Sequence, residues 1–141
     1  MNFKSVDPSE ARALIDGEGY VYLDVRSVPE YEGGHAPGAL NIPLLHRTAF
    51  GMQPNPDFLA VVERAVPKET RLVVGCASGV RSKNASRLLT DAGYDLVEMD
   101  GGFMGKRDPM GRVVLEGWAE RGFPVTTEGG DGKDYASLKG T

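Results

Sequence analysis

The chain contains a single cysteine, Cys76, and that scarcity excludes a good deal. No intramolecular disulfide can form. A zinc or iron–sulfur site built on several thiolates would need other ligand types or a second chain. No metal and no cofactor are therefore expected, and the lone thiol is either inert packing or a chemically employed group.

Long apolar runs are missing too. Nothing approaches the roughly 20 apolar residues of a membrane helix, and Met1 to Asp7 lacks the apolar core of a secretory signal. The expectation is a protein of the reducing cytoplasm with no membrane partner. Excess positive charge is also absent, with 16 Lys and Arg against 20 Asp and Glu, which argues against a general nucleic-acid surface. No internal repeat is visible. The 141 residues, 40% of them apolar, suit one domain with one active site.

What is present alternates between strands and helices. Asp7, Pro8 and Glu10 form a helix start, and the helix is expected to run to about Asp16 and end at Gly17. Tyr20 to Val25 reads as a strand buried on both faces, with Arg26 at its end. A turn follows at Gly33 to Gly38, then a short extended piece from Ala39 to Pro43. Phe58 to Ala65 reads as a helix stopped by Pro67. Arg71 to Gly75 is the clearest strand. It runs straight into Cys76-Ala77-Ser78-Gly79-Val80-Arg81-Ser82, from which a helix extends to about Ala92 with Leu88, Leu89 and Ala92 turned inward. Leu96 to Met99 is another strand, broken by Gly101 and Gly102. Such alternation predicts a mainly parallel sheet covered on both faces. Residues 104–115 show no clean period and read as an insertion or long loop. The glycine- and charge-rich tail 127–141 reads as flexible, leaving 1–126 as the domain.

A nucleophile where a buried strand gives way to a helix lies at the C-terminal edge of a parallel sheet, where ligands bind in open α/β folds. Cys76 has that position. Ala77, Ser78, Gly79, Val80 and Ser82 allow the backbone to curl so that N–H groups point at the sulfur. Such a nest at a helix N-terminus stabilises an anion, and Arg81 adds a full positive charge. A buried, inert cysteine is the bland alternative, and the strand, glycine loop, arginine and helix together weigh against it.

These residues resemble the active-site loop of single-domain rhodaneses. Two further motifs agree: Asp24-Val25-Arg26 with Glu30 and Gly34 to Pro43 resembles the family's N-terminal signature, and Gly101-Gly102 with Trp118, Gly122 and Pro124 its C-terminal one. Three motifs in order, spanning roughly residues 5 to 126, are more specific than any one. In many members a tryptophan follows the double glycine closely. Here Met104 to Arg107 stand in that place and Trp118 arrives later.

The resemblance implies a three-layer α/β/α rhodanese fold with a five-stranded, mainly parallel sheet. It also implies a sulfurtransferase that moves sulfur through a Cys76 persulfide, from a small anionic donor such as thiosulfate to cyanide, a thiol or a protein acceptor. Cys76 and Arg81 are the expected catalytic residues, and Ala77, Ser78, Gly79, Val80 and Ser82 the substrate-binding loop. Asp24, Arg26 and Glu30 are expected as a supporting ion-pair cluster, and Gly101 and Gly102 as structural support. Arg26 is a second candidate for electrostatic support. His35 is expected to hold a turn by hydrogen bonding rather than to act as a base, and Trp118 to be a packed anchor. Lys106, Arg107 and Arg112 are either solvated loop charges or the lining of a surface for an anionic donor or acidic partner.

Two other readings stay open. A phosphatase or arsenate reductase on the same fold uses a similar cradle, but with a loop one residue longer than the four residues that separate Cys76 from Arg81. A non-catalytic regulatory module is the other, although such domains commonly lack the cysteine.

Overall fold

Asp7 and Pro8 start the first helix as their chemistry requires: the Asp7 carboxylate accepts the Glu10 N–H at 2.8 Å, and Pro8 sits in the first turn, where no intrahelical donor is missed. In the computed structural model, which describes residues 3–128 and 132–140, a short strand β1 (Lys4–Val6) precedes this helix, α1 (Pro8–Glu18). The helix outruns Gly17 and closes at Gly19, whose N–H returns to the Leu14 carbonyl. After it come β2 (Val21–Asp24), α2 (Val28–Glu32) and β3 (Leu40–Asn41). A hairpin of β4 (Leu45–Thr48) and β5 (Gly51–Pro54) leads to α3 (Phe58–Ala65), β6 (Leu72–Gly75), α4 (Val80–Asp91) and β7 (Leu96–Met99).

Five strands form one sheet in the order β1-β7-β6-β2-β3, and every pairing in it is parallel. The all-buried run Leu72-Val73-Val74-Gly75 occupies the centre. Alternation along the strands feeds two cores. Leu23, Leu72, Val74 and Leu96 pack with α3 and α4 on one face. Tyr22, Val73, Val97 and Met99 pack with Ala11 of α1 and with Phe103 and Trp118 on the other. This is the expected α/β/α layering.

Three expectations need correction. Leu88 is 46% exposed while Leu89 is fully buried; adjacent leucines lie about 100° apart on a helix, and Ala85 and Leu89, four apart, make the inner stripe. The stretch 104–115 is an antiparallel hairpin, β8 (Lys106–Arg107) with β9 (Val113–Leu115), rather than a structureless loop. Its turn is organised by Asp108, whose Oδ1 accepts the N–H groups of Met110 and Arg112, each at 2.9 Å.

The described part of the tail is not loose. Asp134 caps a helix, α5 (Tyr135–Lys139), by accepting the Ser137 N–H at 3.0 Å, and Tyr135 and Leu138 enter the core beside α3. Two apolar side chains at helical spacing outweigh the polar composition around them. Residues 129–131 and 141, part of the expected flexible tail, lie outside the described residues.

Candidate active site

β6 delivers Cys76 to the C-terminal edge of the sheet, beside the ends of β2 and β7. The next residues curl back over it. Gly79 adopts φ +120°, a conformation that L side chains rarely take, and so presents its N–H to Cys76 Sγ at 3.1 Å. From the first turn of α4, the Ser82 N–H reaches the same sulfur at 3.2 Å. The thiol in turn donates to Ser82 Oγ at 3.4 Å. The sulfur is buried at the base of this cradle, at 1% exposure, while Ser78 and Val80 stand exposed on its rim and Ala77 is half-buried.

The double glycine supports the loop from behind. The Phe103 N–H donates to the Cys76 carbonyl at 2.8 Å and the Met104 N–H to the Ala77 carbonyl at 2.7 Å. Gly102, at φ +58°, comes so close that a Cβ there would lie 2.4 Å from the Cys76 carbonyl oxygen. No side chain fits at that crossing.

The expected ion-pair cluster divides into two pairs. Arg26 grips Asp24 with Nε and Nη2 at 2.8 to 3.1 Å, donates to the Gly34 carbonyl at 2.7 Å and lies over the Phe103 ring at 4.2 Å. Burial disfavours the Arg26 charge, but the Asp24 hydrogen bonds more than compensate and its pKa is raised. Glu30 belongs to the second pair. It holds Arg81 through Nη1 at 2.7 Å and Nη2 at 2.9 Å, while its Oε1 also accepts from Ser27 at the start of α2. Burial alone would raise the Glu30 pKa; the Arg81 and Ser27 hydrogen bonds overcome it and bring it down to about 2. Glu30 raises the Arg81 pKa in return. Arg81 thus stays charged, yet the prongs of its guanidinium fork are engaged by Glu30 and not free over the sulfur.

His35 is buried, bonded through Nδ1 to the Tyr31 carbonyl at 2.7 Å and stacked on the Tyr31 ring at 3.6 Å. Trp118 packs edge-on to Tyr22 and donates to the Pro124 carbonyl at 2.7 Å. Both are structural in the sense anticipated. His46 lies tilted against Tyr135. Among the described residues no group of acidic, histidine or cysteine side chains is arranged to hold a metal ion, and no helix is long and apolar enough to cross a membrane.

Two features go beyond the sequence reading, which offers Lys106 and Arg107 as lining for an anionic donor but not Lys83, Arg87 or Glu98. A cavity of about 450 Å³ opens beside the loop, between Ser78, Gly79 and Val80 and the cations Lys83, Arg87, Lys106 and Arg107. Lys83 and Arg87 follow Val80 at helical spacing, a signal that was present in the sequence. Much of this charge is internally met: Lys106 bonds Asp100 at 3.0 Å, Arg107 pairs with Glu120, and Lys83 reaches Glu98 and Asp100. Arg112, 78% exposed at its side chain, pairs with Asp108 and does not line the cavity. The second missed feature is Glu98 itself, buried below the cradle, where its Oε2 accepts from Ser82 Oγ at 2.6 Å. A lone carboxylate inside the apolar run Leu96 to Met99 was its signal.

Residues 7–107 match the family described as Rhodanese-like domain. The chain is similar to thiosulfate sulfurtransferase 16, a chloroplastic protein of Arabidopsis thaliana, at 41% identity over 76% of this chain and 80% of that one. It is also similar to the mitochondrial protein HIGH ARSENIC CONTENT 1 of the same plant, at 36% identity over 75% of this chain and 68% of that one. Among solved structures, Rv0390 from M. tuberculosis superposes with a TM-score of 0.73 at 25% identity, over 90% of this chain and all of that one.

Proposed function

Since this chain belongs to the family of rhodanese-like domains, we propose that it is a sulfurtransferase in which Cys76 carries sulfane sulfur from thiosulfate or a related donor to cyanide or a thiol. The observation that carries the reading is the sulfur of Cys76 held between two converging N–H groups at the end of the central strand. Donors aimed at a sulfur stabilise negative charge on it both as thiolate and as persulfide.

In the first step the Cys76 thiolate attacks the outer sulfur of thiosulfate. A bond forms between the two sulfurs, the S–S bond of thiosulfate breaks, and sulfite leaves with the electron pair. In the second, cyanide or an acceptor thiolate attacks the terminal sulfur and the Cys76 thiolate departs. With Cys76 the sole cysteine, the resolving nucleophile comes from outside the chain. Arg81 and the loop N–H groups provide the attraction for the anionic donor, and a reducing cytoplasm suits the free thiol. Gly79 is needed for the curl, and Ser78 and Val80 on the rim are the groups an incoming donor meets.

An arsenate reductase or phosphatase is the second reading, favoured by the relative named for arsenic content. The loop length weighs against it, since four residues between Cys76 and Arg81 make a cradle sized for a sulfur atom rather than a tetrahedral oxyanion.

The test is intact mass after incubation with thiosulfate. Wild-type protein should gain one sulfur, about 32 Da, removable by dithiothreitol, as a covalent intermediate requires. Cys76→Ser should gain nothing. Absence of the adduct from folded, reduced wild-type protein, together with arsenate or phosphate-ester turnover, would select the second reading.

A further inference from the structure

Glu98 is completely buried in β7, where strand alternation turns it with Leu96 toward α4 while Val97 and Met99 face the other core. Carboxylates are seldom buried without partners, and this one has three. Ser5 Oγ of β1 donates at 2.7 Å, Ser82 Oγ of α4 at 2.6 Å, and Lys83 Nζ lies at 3.3 Å. The Ser82 bond makes Glu98 part of the site, because the same hydroxyl accepts the Cys76 thiol proton at 3.4 Å.

A carboxylate one hydroxyl away from the sulfur conflicts with a cradle built for anionic sulfur. Two such anions repel in a dry interior, and Ser82 has only one hydroxyl proton to offer them. Moving one proton along the line removes the conflict.

We propose that Glu98 is a positioning residue that takes up, through Ser82, the proton released when Cys76 ionises, an inference that rests on Cys76 being the sulfur-carrying nucleophile. The Cys76 S–H bond breaks as an O–H bond forms at Ser82. The original Ser82 O–H bond breaks as one forms at Glu98. The result is a thiolate that accepts from Ser82, and a neutral Glu98 that donates to Ser82. Two protons each move one place and the net charge of the group is unchanged.

Of the surrounding charges, Lys83 favours the Glu98 carboxylate and so opposes the transfer, and its sharing with Asp100 moderates that pull. Lys83 from α4 faces Glu98 and also reaches Asp100 at 3.6 Å, and Asp100 holds Lys106 of β8 at 3.0 Å. Beside Cys76 stand the pairs Arg81 with Glu30 and Arg26 with Asp24. Tyr22, on the opposite face, stays neutral because burial pushes its phenol well above the ordinary value.

Because an internal transfer leaves net charge unchanged, the thiolate fraction is independent of pH between the two macroscopic proton losses of the pair. Alkylation of the sole cysteine by iodoacetamide, followed by mass from about pH 4 to about pH 9, reads this directly. Wild-type protein should show a low-pH plateau and then a second rise. In Glu98→Gln the plateau should vanish and a single step remain, with the rate falling about tenfold per pH unit below it, so that the variant is at least about tenfold slower at the acid end. Glu98→Met, an apolar side chain of similar length that removes the titrating group, should lose the plateau as well, and it decides the matter if Glu98→Gln does not fold. A single-step wild-type profile, or a plateau that survives in the folded variants, overturns the proposal. A merely structural role for Glu98 would not change the shape of the profile. Sulfur loading by thiosulfate on the same samples separates the two ideas: a plateau without loading defeats the sulfur-carrier reading alone, and loading with a single-step profile defeats the relay alone.

Discussion

Glu30 shows how one residue connects the chemistry of the loop to the stability of the domain. It joins α2 to the start of α4 through Arg81, with its pKa lowered from 4.5 to about 2. A carboxyl whose folded pKa is depressed contributes stability that is fully present above its unfolded value and is lost as pH falls through the folded one. Glu30→Gln should therefore cost about 1–2 kcal/mol near neutrality, between the figures for exposed and buried pairs. In urea titrations the difference from wild type should shrink between pH 4.5 and about 2. A difference constant over that window would deny the pair its role. The same substitution leaves the Arg81 charge uncompensated beside the cradle, so KM for thiosulfate should fall severalfold, whereas Arg81→Ala should raise it. Gly102 makes a steric statement at the same scale. Gly102→Ala puts a methyl group against the Cys76 and Ala77 carbonyls and should destabilise the protein by at least about 3 kcal/mol, read from chemical unfolding.

Among the elements, α5 is the one whose existence its composition concealed. Tyr135 is 7% exposed, and its hydroxyl accepts from Asn55 Nδ2 at 3.3 Å across the core. Truncation of a buried aromatic costs about 3–5 kcal/mol, so Tyr135→Ala should lower the urea midpoint by a correspondingly large step. A change below about 1 kcal/mol would mean the tail contributes as little as its glycines and charges suggest. The elements read correctly from sequence are those with a strong local signal: α3 between Pro56 and Pro67, β6 as a short buried run centred on two valines, and α1 with its Asp7 and Pro8 start. The elements not anticipated are short. β1, α2 and the two hairpins have two to five residues per segment, too few for periodicity to register.

Across the whole molecule, the two cores share the central strands, with Val73 facing one and Leu72 and Val74 the other. Neither can be lost without exposing the back of the other. Fluorescence of the only tryptophan, Trp118, which reports on the α1 face, should therefore unfold in one transition coincident with far-UV circular dichroism, which reports mostly on the α3 and α4 face. Separate midpoints would mean two independent units. The alternating architecture, the placement of Cys76 at a strand-to-helix turn, the cradle from Ala77 to Ser82 and the double-glycine support are legible in the chain alone, because each depends on residues adjacent in it. The partners of the charged groups are set by the packing of elements distant in the chain. The sheet order sets β7 between β1 and β6, and so brings Ser5, Glu98 and Ser82 to one point; the packing of α2 gives Glu30 to Arg81 rather than to Arg26. The physical reason is range: dihedral preference and turn chemistry act over a few residues, whereas the pairing of charges is settled by which strands and helices come to lie side by side.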